Sequence, residues 1–215
     1  MSKIKLAVIT GKHPYEVLSF QELFKSMQDI DSYPQHIEEF SADQSAQKQY
    51  DVLLFYNFNQ ETPLNTDDYW QASIKSAIEN IGETRQGIVI LHHAILAFPD
   101  WGIWSDICGI KNRRFNYYLD QSIKVNVETY EHPIVRSIKD WEMIDETYTM
   151  DEPGEDSFIL LSTHHYNSMK ALAWTRQYKN ARIFCYQSGH DSKAYNNDNF
   201  RKVLKNGIIW VAGII

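Results

Sequence analysis

Residues 87–94, Gly-Ile-Val-Ile-Leu-His-His-Ala, constrain this chain more than any other stretch. From Gly87 to Leu91 no polar residue interrupts the run, and it then meets two histidines. An apolar run that short, with Gly at one end and polar side chains at the other, reads as a strand buried on both faces. In open α/β sheets, ligands bind beyond the carboxyl ends of such strands. His92 and His93 therefore stand where chemistry is expected. Residues 94–107 can continue as a helix, which makes strand, tight turn and helix, the setting of a nucleophile elbow. No Cys or Ser occupies that turn.

The flanking pattern alternates in the same way. Residues 3–10 read as a first strand ending at Gly11, and residues 15–30 as a helix through Val17, Leu18, Phe20, Leu23, Phe24 and Met27. Residues 35–40 are expected as a second strand and 51–56 as a buried third, followed by a polar loop over 57–66. A helix over 67–83 takes Thr66 or Asp67 as its N-cap. Strands alternating with helices imply parallel pairing, hence a doubly wound, mostly parallel α/β sheet. The second half adds strand-like segments at 123–129, 146–150, 158–163, 171–177 and 181–187, with Tyr178-Lys179-Asn180 as a hairpin turn. An amphipathic helix over 199–213 closes the chain. With no low-complexity linker and no internal repeat, residues 1–215 are expected to form one domain.

Composition narrows the partners. A formal charge of −7 and a pI near 5.6 disfavour nucleic acid and anionic membranes. Two cysteines, Cys108 and Cys185, supply neither a disulfide framework nor a cysteine-rich metal site, and both read as core residues. The first ten residues have too short an apolar core for a signal peptide, and no segment is long enough to span a bilayer. The expected compartment is the cytoplasm.

Histidines and carboxylates collect at predicted strand ends. His13 follows the first strand, His92 and His93 the fourth, and His190 with Asp191 the last. Asp145 and Glu146 stand just before a strand, with Tyr148 beyond. Convergence of His with a carboxylate serves either general acid–base catalysis or a divalent metal. Blander readings stand beside these. His13 can be a surface-loop histidine and Asp145-Glu146 a solvated pair. Strand alternation lets one of His92 and His93 point inward and leaves the other structural. His164-His165 reads as structural and His132-Pro133 as a loop-fixing turn. No G-x-S-x-G, Walker A, G-x-G-x-x-G, H-E-x-x-H or C-x-x-C occurs.

The ordered set of motifs resembles the ThuA-like (trehalose utilisation) family. It comprises Val8-Ile9-Thr10-Gly11 with His13, residues 87–94 followed by Phe98 and Trp101, His132-Pro133-Ile134, Asp145-Glu146-Thr147-Tyr148 and Ala173-Trp174. It continues with Ala181-Arg182-Ile183-Phe184, Gly189-His190-Asp191 and the closing run from Gly207 to Gly213. The resemblance implies a flavodoxin-like fold of the class I glutamine amidotransferase type. Amidotransferases carry a Cys at the elbow where this chain has His, so glutaminase chemistry is not implied. What the resemblance implies instead is a carbohydrate partner. It places His92, Glu146 and His190 as catalytic residues, with His13, His93 and Asp191 as binding residues. Trp101 and Tyr148 would form apolar walls or stack on a pyranose face. The chemistry expected is proton transfer on a disaccharide or keto-sugar, with a divalent metal as a variant. The alternative is a non-catalytic sugar-binding or regulatory module on a scaffold that has lost its nucleophile. A homodimer is in keeping with such folds.

Overall fold

The computed structural model describes residues 3–63 and 67–215. In chain order the elements are β1 (Ile4–Gly11), α1 (Val17–Lys25), β2 (Ile30–His36), α2 (Ile37–Ala42), α3 (Gln44–Gln47), β3 (Val52–Asn57), α4 (Tyr69–Glu79) and β4 (Gly87–Leu91). A 3-10 turn over His92–Leu96 leads to α5 (Gly102–Cys108). Then follow β5 (Asn116–Val127), β6 (Trp141–Thr149), β7 (Phe158–Ser162), β8 (Ala171–Tyr178), β9 (Ala181–Tyr186), α6 (Ser192–Tyr195) and α7 (Asp198–Val211).

The strands form one nine-stranded sheet in the order β2-β1-β3-β4-β9-β8-β7-β5-β6. From β2 to β9 every pairing is parallel; from β9 to β6 every pairing is antiparallel. "Mostly parallel" thus holds only for the half that carries β4. The reason is connection length. Lys179 and Asn180 join β8 to β9, and so short a link permits only a hairpin, whereas parallel neighbours need a crossover of a dozen residues or more.

Alternation along the central strands explains why both faces are covered. Leu6, Val8, Leu54, Tyr56, Val89 and Leu91 pack with Phe20 and Phe24 of α1 and Phe200, Val203 and Leu204 of α7. Ile9, Leu53, Phe55, Ile88 and Ile90 pack with Ile37 of α2, Ile74 and Ile78 of α4 and Trp104 of α5 on the other side. Each fully buried side chain of this size contributes roughly 1.5–3 kcal/mol, so the two layers hold the strand ends rigidly in place.

Several local expectations are corrected. The second strand is Ile30–His36, not 35–40; it lies at the sheet edge, where Pro34 removes no ladder hydrogen bond that a neighbour needs. Ile37 and Phe40 are buried from a helix instead, with His36 as its N-cap. Helix α1 stops at Lys25, and Met27 is buried from the turn that feeds β2. The cap of α4 is Asp68, whose side chain accepts from Gln71 N–H at 2.9 Å; Thr66 lies outside the described residues. The helix expected over 94–107 is broken at Pro99 into the 3-10 turn and α5.

Candidate active site

The turn after β4 leaves strand geometry at its first residue. His92 has φ +54°, a left-handed conformation rare for a non-glycine residue, and it occupies the elbow position. This overturns the expectation that alternation would separate the two histidines. Alternation ends where the extended backbone ends, so the His92 and His93 rings lie 5.2 Å apart in one cluster. Buried Arg113 holds the following segment by donating to the carbonyls of Ile95, Ala97 and Phe98.

Hydrogen-bond partners assign the tautomers. His92 Nδ1 lies 2.8 Å from the Gln187 carbonyl, which only accepts, so Nδ1 carries the proton and Nε2 is bare. That Nε2 is 2.8 Å from the Tyr148 hydroxyl and 3.2 Å from His190 Nδ1. His190 Nδ1 is 2.9 Å from Glu146 Oε2. His93 donates through Nε2 to the Tyr56 carbonyl at 3.1 Å, and its buried Nδ1 has no partner. His13 stacks on His93 with ring centroids 4.2 Å apart.

Burial and charge separate these imidazoles. Burial, and then the neighbouring His93, hold His92 well below the ordinary histidine range. Burial pushes His93 down to about 3 and also lowers His13. His190 alone is raised, because Glu146 accepts its proton and stabilises its charged form. Burial raises the Tyr148 phenol well above its usual value, and the nearby Glu146 charge adds to this, so it remains a proton donor.

Asp145 and Glu146 lie inside β6, not before it. The buried Asp145 carboxylate does not face the cluster. It accepts the backbone N–H groups of Glu146, Gly189 and His190 at 2.9, 2.8 and 3.1 Å. Burial still pushes it up to about 7. From the other side, the Tyr56 and Tyr195 hydroxyls, hydrogen-bonded to each other at 2.6 Å, lie 3.0 Å from the Gly189 and His190 carbonyls respectively and donate to them with the proton left over. Gly189, with φ +121°, supplies the backbone shape this clamp requires.

The structure thus brings together His13, His92, His93, Glu146, Tyr148 and His190. It leaves two expected residues elsewhere. Trp101 packs edge-on against Phe98 in the core on the α5 side. Asp191 caps α6, accepting from Lys193 N–H at 2.8 Å, and reaches His190 only through space. Tyr148 is a buried hydroxyl partner of His92 rather than an apolar wall. Sequence reading missed Tyr56, Phe58, Phe115, Gln187 and Tyr195, which reach the cluster through tertiary packing and carry no motif. His132 stacks on Phe158 and lies tilted against Trp210, apart from the cluster.

Among the described residues, His92, Glu146 and His190 are the set with metal-ligand spacing, their donor atoms all within 4.8 Å of one another. Two imidazole nitrogens and one carboxylate suit a catalytic Zn²⁺ or a similar divalent ion. The Gln187 carbonyl on the far nitrogen of His92 is the kind of outer partner that orients a ligating histidine.

Comparison with known proteins agrees with this arrangement at the level of the fold. The ThuA family, described as trehalose utilisation, matches residues 11–211, and the chain belongs to it. A ThuA-like protein from Parabacteroides merdae is 21% identical with a TM-score of 0.76, over 98% of this chain and 90% of that one. A cytoplasmic protein from Salmonella typhimurium is 9% identical with a TM-score of 0.69, over 97% and 99%. A glutamine amidotransferase from Thermotoga maritima is 7% identical with a TM-score of 0.57, over 99% of each chain. No curated protein matches the sequence. Among the described residues no helix is long and apolar enough to cross a membrane.

Proposed function

We propose that this ThuA-family chain is a cytoplasmic carbohydrate-modifying enzyme that moves protons on a disaccharide or keto-sugar. The observation that carries the reading is the 2.9 Å contact between His190 Nδ1 and Glu146 Oε2. Glu146 holds the Nδ1 proton, which directs the basic lone pair to Nε2, and the His190 side chain is one-quarter exposed. An imidazole oriented by a carboxylate is a general base suited to neutral pH.

The direction of the chemistry follows from which carboxylates are free. Ordinary glycoside hydrolysis uses two carboxyl groups flanking the scissile bond. Here Asp145 is committed to three backbone N–H groups, which leaves Glu146 as the one carboxylate beside the histidines among the described residues. Removal of a proton from a carbon next to a carbonyl fits this set better. His190 Nε2 takes the proton, and the Tyr148 phenol, whose proton rests on His92 Nε2 in the free site, turns it to the oxygen on which charge develops. The proton then returns at the neighbouring carbon, or a leaving group departs.

The test is proton exchange at such a carbon, followed by NMR in deuterium oxide with disaccharides and keto-sugars. Wild type should exchange label or turn over a member of the panel, and His190→Gln should not. Equal exchange by both proteins sinks the assignment; binding without exchange by wild type favours a non-catalytic sugar-binding role.

The metal-ligand spacing of His92, Glu146 and His190 favours a second reading, in which these three residues would hold a divalent ion that would supply Lewis-acid chemistry. Activity that disappears on chelation and returns with one ion separates it from the first.

A further inference from the structure

The loop that carries His190 is held by side chains alone. Gly189 and His190 lie outside every helix and strand, and among the described residues neither makes a main-chain hydrogen bond. Both N–H groups go to the Asp145 carboxylate of β6. On the other side, the Tyr56 hydroxyl of β3 lies 3.0 Å from the Gly189 carbonyl and 3.3 Å from that of His190. The Tyr195 hydroxyl of α6 lies 3.0 Å from the His190 carbonyl, and both tyrosines are buried. Gly189 at φ +121° has no local pattern to fix it, so the place of this backbone depends on three side chains from three elements.

Proton count makes the two tyrosines a unit. Their hydroxyl oxygens are 2.6 Å apart, and each phenol carries one proton. One proton lies between the oxygens and the other is left for a carbonyl. The bonds therefore run from Tyr195 through Tyr56 to Gly189, or from Tyr56 through Tyr195 to His190. Turning two O–H bonds exchanges these arrangements without moving a heavy atom. Burial raises both phenols above their ordinary value, so both stay protonated. Tyr56 also reaches the elbow. Its carbonyl accepts from His93 Nε2 at 3.1 Å, and its ring centroid is 4.2 Å from that of His93. One residue of β3 thus touches both arms of the cluster, which meet at 3.2 Å between His92 Nε2 and His190 Nδ1.

We propose that Tyr56 and Tyr195 are positioning residues, a hydroxyl pair that sets the Gly189-His190 backbone so that His190 Nδ1 meets Glu146. The proposal deepens the acid–base reading above and rests on it for its effect on turnover, whereas the His190–Glu146 contact can be observed without a substrate. A plainer role makes them two core aromatics, packed on Phe20 with ring centroids 4.6 and 5.6 Å away, whose hydroxyls only satisfy each other. Under that role phenylalanine serves as well at both positions.

Proton NMR of the full chain reads the contact through the downfield Nδ1–H signal of His190, assigned by its loss in His190→Gln. In the double variant, Tyr56→Phe with Tyr195→Phe, that signal should move upfield and exchange with water about tenfold faster or more. Each single variant keeps one hydroxyl and its proton for the nearer carbonyl, so it should fall between wild type and the double variant. Phe20→Leu is the control. It loosens the packing around both rings but leaves the hydroxyls, so it should lower the melting temperature and leave the signal in place. On a substrate found by the exchange assay above, kcat of the double variant should fall about tenfold or more with KM unchanged, as for a misplaced base. If the double variant does not fold, the single variants against Phe20→Leu decide. A wild type without the signal, tyrosine variants that match wild type, or an equal change in Phe20→Leu overturns the proposal. Failure of the acid–base reading looks different: His190→Gln keeps turnover while the tyrosine variants still move the signal.

Discussion

Asp145 Oδ2 accepts the backbone N–H of Gly189 at 2.8 Å, so a carboxylate in a middle strand of the chain sets the loop that carries the candidate base. Oδ1 of the same group takes the N–H of His190 and of Glu146, which fixes both members of the dyad from one side chain. Asp145→Asn retains the shape but replaces one acceptor by a donor. It should cost about 1–3 kcal/mol of stability, the penalty of a buried N–H left unpaired, and should lower turnover of the folded fraction. Urea unfolding together with kinetics measures both; unchanged stability in that variant would show that the clamp is idle.

Glu146 and His190 are expected to act as a unit. Glu146→Gln and His190→Gln should each lower turnover about a hundredfold or more, within the range of general acid–base catalysis. The double variant should be little worse than either single one, because removing one member already disables the other. Multiplying effects, measured on the same substrate, would separate their roles.

His132 provides a pH test of stability away from the site. Burial first, and then the Arg182 charge, hold its pKa below the ordinary 6.5. The neutral ring is therefore the form the fold prefers, and the unfolded chain binds a proton first as pH drops. The contribution of His132 is complete above about pH 6.5 and is lost as pH falls through its depressed folded value. Wild type should lose stability relative to His132→Phe as pH falls through that window. A difference that stays flat contradicts the assignment, since a phenyl ring keeps the contacts with Phe158 and Trp210 but does not titrate.

At Gly207 the backbone of α7 lies against the Phe184 ring of β9. A Cβ there runs into the ring of Phe184, so Gly207→Ala should destabilise the chain by about 1–3 kcal/mol despite its better helix propensity. Turnover per folded molecule should not change, because neither residue touches the histidine cluster. Thermal melts and single-turnover assays on the variant check the two halves of this statement.

Metal content offers a further test. Protein purified without chelator and then dialysed against metal-free buffer should keep its activity if His190 and Glu146 act alone. Activity that is lost, and regained with Zn²⁺ or Mn²⁺, moves the chemistry to an ion at His92, Glu146 and His190.

The central parallel strands β1, β3, β4 and β9 were legible in the sequence because each is a short apolar run, and a chain can bury such a run only between two layers of helices; the polar edge strand β2 carries no such run and was misplaced. The same logic placed His13, His92, His93 and His190 near the carboxyl edge of the sheet. Tertiary structure decided the rest. The positive φ at His92 turned both histidines into one cluster, although strand alternation predicted that they would part. Antiparallel pairing brought β6, distant in the chain, to the site, so that Asp145 took up backbone donors and left Glu146 for His190. Phe58 and Phe115 became neighbours only through that packing. Periodicity along the chain reports which side chains must leave water; which of them then meet depends on strand order and loop geometry, which no local pattern encodes.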